Sequence, residues 1–71
     1  MVWNYRKLQG RIKEVFGTQD SFADALGISR SSLSQRLNNK LEFSQDEMFK
    51  TCELLDIPMV DLPEFFYVRV V

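Results

Sequence analysis

The run Arg30-Ser-Ser-Leu-Ser-Gln-Arg-Leu-Asn-Asn-Lys40 concentrates side chains that can hydrogen-bond a nucleobase edge. Arg30, Ser31, Ser34 and Gln35 follow an i, i+1, i+4, i+5 spacing, which places them on one face of a helix. A guanidinium matches O6 and N7 of guanine, and a carboxamide matches N6 and N7 of adenine. Each such pair is worth ~1–3 kcal/mol of discrimination. Gln19, Ser32, Asn38, Asn39 and Lys40 are suited to phosphate oxygens, which position a protein on a duplex without reading its sequence. Arg6, Lys7, Arg11 and Lys13 are either further backbone contacts or plain surface charge. The competing explanation is a solvated polar helix face, with Asn39-Lys40 a turn whose asparagine takes the left-handed conformation.

Catalytic chemistry finds no constellation. The chain has no histidine, so its many serines lack the commonest base. Cys52, the one cysteine, can form no internal disulfide and fits no zinc spacing; on the inner stripe of a helix it reads as a small core hydrophobe. No glycine-rich loop cradles a phosphate. We therefore expect no enzyme activity, no cofactor and no metal.

The elements that must position Arg30 to Lys40 are helices. Leu8, Ile12, Val15 and Phe16, extended by Tyr5, recur at helical spacing and predict a first helix over 5–16, with Asn4 as N-cap and Gly17 as stop. Gly10 within it costs roughly 1 kcal/mol relative to alanine, which suggests a close helix contact. A second helix starts after Thr18, turns Phe22, Ala23 and Leu26 inward, carries Asp20 in its first turn and ends at Gly27. Ser29 caps a third helix, Arg30 to Asn38, held by only Leu33 and Leu37. Ser44-Gln45-Asp46-Glu47 is a capping box, with Phe43 and Met48 at staple positions and Met48, Phe49, Cys52 and Leu55 as the inner stripe, ending near Asp56. Met59 to Leu62 form a short fifth helix, and Pro63 opens a further turn through Glu64-Phe65-Phe66. The β-branched and aromatic tail, Tyr67 to Val71, reads as a strand, paired either with Val2-Trp3-Asn4 or with the same tail of a second subunit. Trp3, Tyr5, Phe65, Phe66 and Tyr67 cluster aromatics at both ends and close the core or form an interface.

Seventy-one residues without a repeat or a linker make a single domain over 1–71. No apolar run approaches a membrane span and the first residues lack a signal-peptide core, so a cytoplasmic protein is expected. The net charge of −1 is unusual for a nucleic-acid binder. It conceals a polarity, because residues 1–40 hold seven cations against three carboxylates and residues 41–71 hold two against seven. A basic half bearing the Arg30 helix suits phosphate, and an acidic half suits something else.

The stretch Gln19 to Asn38 resembles the helix-turn-helix of the phage repressor and Cro class, the XRE family. The likeness rests on Gln19 opening a helix, Ala23 in its middle, Gly27 at the turn, Ile28 after it and Leu33 as anchor. Asn38-Asn39-Lys40 and Leu55-Asp56-Ile57-Pro58 extend it to about four-fifths of the chain. Arg36 departs from the pattern, which has an apolar residue there, and Leu37 is expected to take over its packing. The ending Leu62-Pro-Glu-Phe-Phe-Tyr-Val-Arg-Val-Val71 and the opening Asn4-Tyr-Arg-Lys-Leu resemble small phage and prophage proteins of Gram-positive hosts.

The resemblance implies an all-α, four-to-five-helix, lambda-repressor-like domain with a short C-terminal strand. It further implies a DNA-binding regulator of phage genes, working in the host nucleoid, dimeric on double-stranded DNA, with Arg30 to Asn38 in the major groove. Gln19 then donates to a phosphate at the helix N-terminus. The acidic half and low isoelectric point favour an alternative: a protein-interaction module that binds a partner repressor, as an antirepressor does, or an antitoxin.

Overall fold

The structure, a computed structural model, describes residues 2–70. Five helices follow one another: α1 (Arg6–Phe16), α2 (Gln19–Leu26), α3 (Arg30–Leu37), α4 (Gln45–Leu54) and, after a 3₁₀ turn at Met59–Asp61, α5 (Leu62–Phe66). No helix among the described residues is long and apolar enough to cross a membrane.

Local hydrogen bonds account for most boundaries. Asn4 Oδ1 accepts the Arg6 N–H at 2.9 Å, so α1 begins one residue later than the spacing suggests, with Tyr5 as the flanking residue. Thr18 Oγ1 accepts from the Ser21 N–H and Ser29 Oγ from the Ser32 N–H, starting α2 and α3 as expected. Ser44 and Glu47 complete the capping box of α4 in both directions. Gly27 lies at φ 87°, where a side chain would be strained, and its N–H closes on the Ala23 carbonyl at 2.9 Å. The α3 helix stops at Leu37 rather than Asn38, and α4 at Leu54.

The core lies where α2 packs against α1, α3 and α4, and where α5 returns onto α1 and α4. Leu8, Ile12, Phe22, Leu33, Leu55 and Phe66 are almost wholly buried in it. Leu37 is buried as well, and Cys52 is a buried free thiol whose pKa burial pushes up. The terminal aromatics close the core: Phe43 meets Phe66 edge-on at 5.2 Å and Tyr5 meets Phe43 at 5.5 Å. Burial raises the Tyr5 pKa, with the Glu42 charge adding to the shift.

Four expectations need correction. Val15 and Phe49 were assigned to inner stripes but stand exposed, because α1 and α4 are each covered on a narrower arc than their apolar spacing allows. A Cβ added at Gly10 meets nothing within 4 Å, so no helix approaches closely there. Met59–Asp61 is a 3₁₀ turn, and the helix after it begins at Leu62. The tail strand shrinks to one antiparallel bridge, Trp3 with Arg69, supported by Asn4 N–H to the Val68 carbonyl and Val70 N–H to the Val2 carbonyl. The pairing is thus within the chain; Val71 lies outside the described residues.

Two stability predictions follow from these environments. Gly10→Ala, at an exposed helix interior with open space beyond the new methyl, raises stability by about 0.5–1 kcal/mol in a urea melt. Thr51 is fully buried and its hydroxyl has no hydrogen-bond partner among the described residues. Thr51→Val removes that unsatisfied group and raises stability by about 1 kcal/mol. A destabilised Thr51→Val protein would show that the hydroxyl does find an acceptor.

Candidate functional site

The connection from α2 to α3 decides which side chains α3 presents. Gly27 ends α2, Ile28 packs against the core, and Ser29 caps α3 immediately afterwards. Lys50 Nζ of α4 donates to the Leu26 carbonyl at 3.3 Å, satisfying one of the last acceptors of α2. Leu33 and Leu37 point into the core, so the opposite side of α3 faces solvent.

That face carries Arg30, Ser31 and Gln35, all exposed, with Ser34 half-buried at its margin. Arg30 is not free: its Nη1 lies 2.9 Å from Asp20 Oδ1. Both side chains of the pair are more than half exposed, so water screens it and it is worth only ~0–1 kcal/mol. Ser34 and Asn38 bond each other, Asn38 Nδ2 donating to the Ser34 carbonyl at 2.8 Å.

The residues assigned to phosphate scatter. Gln19, half-buried, lines a shallow depression of ≈ 320 Å³ together with Arg6 and Lys13 of α1. Ser32 is half-buried at the first turn of α3, and Lys40 is exposed after its end. Asn39 takes the left-handed conformation at φ 64°, and both ends of its amide engage Trp3: Oδ1 accepts the Trp3 N–H at 2.8 Å and Nδ2 donates to the Trp3 carbonyl at 2.9 Å. Its amide thus fastens the N-terminal segment to the end of α3.

Arg36 is the position where apolar spacing breaks, and the structure supplies the reason. Its Nε and Nη2 grip both oxygens of Glu47 at 2.9 and 3.1 Å, while Nη1 reaches the Ser32 carbonyl. Both side chains are more than four-fifths buried. Burial alone would push the Glu47 carboxyl up, but hydrogen bonds from Arg36 and from the Ser44 backbone outweigh it and hold the pKa below the ordinary value. The pair bolts α3 to the start of α4. Its sequence signal was the glutamate at the N3 position of the capping box, together with an arginine where the family pattern has an apolar residue.

Of the seven cations in residues 1–40, four are ion-paired: Lys7 with Glu64, Arg11 with Glu14, Arg30 with Asp20 and Arg36 with Glu47. Arg6, Lys13 and Lys40 have no ionic partner among the described residues. Sequence reasoning missed a second surface on the acidic half. Asp46, Met48, Phe49, Met59, Leu62 and Tyr67 line an open depression of ≈ 360 Å³ between α4, the 3₁₀ turn and the tail. Its signal lay in Phe49, one apolar residue too many for a helix covered on one side.

This arrangement of five helices is found in known proteins. The chain matches, over residues 1–69, the family described as "Protein of unknown function (DUF739)", and it belongs to that family. No curated protein matches it. Among solved structures it is similar to the solution structure of the modulator of repression (MOR) of the temperate bacteriophage TP901-1 from Lactococcus lactis. The two superpose with a TM-score of 0.82 at 37% sequence identity, over 94% of this chain and 90% of that one. The all-helical architecture is therefore shared with a phage regulatory protein.

Proposed function

We propose that this chain is a phage or prophage regulator, without catalytic activity, that acts by binding a partner repressor protein and modulating it. The observation that carries this reading is the internal neutralisation of α3. Of its two cations, Arg36 is locked in a mostly buried pair with Glu47 and Arg30 lies against Asp20, so the exposed face of α3 offers little positive charge where strong phosphate binding needs several free cations. The acidic half and the likeness to a modulator of repression support the same conclusion. In a gel-shift with the repressor encoded by the neighbouring gene and that repressor's operator, adding this protein at stoichiometric concentration changes how much operator the repressor retains. Unaltered retention across a large excess would sink the proposal.

A second reading, a Cro-like protein of the XRE class reading operator DNA as a dimer, is favoured by the exposure of Arg30, Ser31 and Gln35 on one side of α3. The Arg30–Asp20 pair is solvent-exposed and costs little to open. Selection from random duplex DNA tests it. The reading requires a consensus, a steep salt dependence, and loss of ~1–3 kcal/mol of discrimination at one base on Arg30→Ala or Gln35→Ala.

A further inference from the structure

We infer that the depression between α4 and the 3₁₀ turn is a docking surface for a basic, aliphatic face of another protein; resting on the reading above, that face is the DNA-binding side of the partner repressor. The side chains lining it are unusual for a lone domain. Phe49 and Met59 are each 52% exposed and Tyr67 49%, in one depression, with Val60 next in the chain at 85%. Apolar groups gathered in this way mark a place where water is to be displaced. Elsewhere on α4 and α5 apolar side chains are buried, Cys52 and Phe66 almost wholly, whereas Phe49 and Met59 are left half exposed.

Charge identifies the occupant. Asp46 and Glu53 stand three residues before and four after Phe49, so all three share one exposed strip of α4. Neither carboxylate has an ionic partner among the described residues, whereas Glu47 nearby is taken by Arg36. An aromatic ring flanked by two unpaired carboxylates suits lysine and arginine, whose stems pack on apolar surface while their heads meet the acids. A face that binds DNA must be rich in those residues. A second copy of this chain fits poorly, since four of the seven cations in its basic half are held by its own carboxylates. Occupancy by a repressor's basic face would also hide that face from DNA, which gives the proposed modulation a mechanism.

Calorimetric titration against the purified repressor encoded by the neighbouring gene tests the surface. Phe49→Ala and the pair Asp46→Lys/Glu53→Lys each weaken binding by about tenfold or more. Glu14→Lys, a charge change on the exposed side of α1, leaves the affinity within about twofold. Circular dichroism confirms that the variants remain folded, as expected for exposed positions. If the wild type binds and the variants at Phe49, Asp46 and Glu53 bind equally well, the surface is wrong while the partner reading stands. If the wild type binds no repressor at all, both fail. If the protein alone sediments as a dimer that Phe49→Ala converts to a monomer, the patch belongs to a second copy and the proposal is overturned.

Discussion

Glu47→Ala lowers the unfolding free energy by about 3 kcal/mol, seen as a fall of roughly 15 °C in melting temperature for a domain of this size. The carboxylate holds three donors in place: Arg36 Nε, Arg36 Nη2 and the Ser44 N–H. Its removal strands a mostly buried guanidinium and takes away half of the α4 capping box. Arg36→Leu/Glu47→Gln recovers part of the loss, because it leaves no unpaired charge and places an apolar residue beside Leu33 and Leu37. A double-mutant cycle over Arg36 and Glu47 isolates the pair. A loss below ~1 kcal/mol would mean that the pair is screened like a surface one.

The same pair sets an acid dependence. The Glu47 pKa in the folded protein lies below its ordinary value of 4.5, so its contribution to stability is complete above that value. The contribution drains away as pH falls through the lowered folded value. Glu47→Gln, which cannot titrate, flattens this part of the stability–pH curve, and urea melts at a series of acid pH values measure the difference.

Phe66→Ala costs about 3–5 kcal/mol. The ring is 1% exposed and lies edge-on to Phe43 at 5.2 Å and to Tyr5 at 6.5 Å. Tyr5 immediately precedes α1, Phe43 lies in the segment leading into α4, and Phe66 ends α5, so one ring joins three separate parts of the chain. The α5 helix has only five residues and cannot persist without that anchor. Total stability for a chain this short is on the order of 5 kcal/mol, so much of the Phe66→Ala protein is unfolded at 37 °C. Phe66→Leu keeps most of the volume and loses less. A Phe66→Ala protein with an unchanged urea midpoint would show that α5 is not part of the cooperative core.

Phe66 and Phe49 show how far a linear reading extends. Both are large, apolar side chains on helices of the acidic half. One closes the core and the other stands in solvent, because burial depends on which neighbouring element covers that arc of the helix. Val15 fails for the same reason. Arg36 is the converse: a charged residue in an apolar slot that is satisfied by a glutamate eleven residues away. Arg30, Ser31 and Gln35 lie exposed on one side of α3 with Ser34 at its margin, a placement that i, i+4 spacing alone achieves. The ion pair that neutralises Arg30 depends on how α2 crosses α3.

The sequence by itself determined the helices, their caps and the turn at Gly27. Those depend on hydrogen bonds between residues three or four apart and on one backbone conformation that glycine adopts without strain. It also determined the split into a basic and an acidic half. Only the tertiary structure decided which charges remain free, that the tail pairs with the N-terminal segment of its own chain, that Asn39 fastens Trp3, and that Phe49 and Met59 line an open depression. These are contacts between residues distant in sequence. Their formation depends on the angles at which short helices pack, and no local spacing encodes those angles.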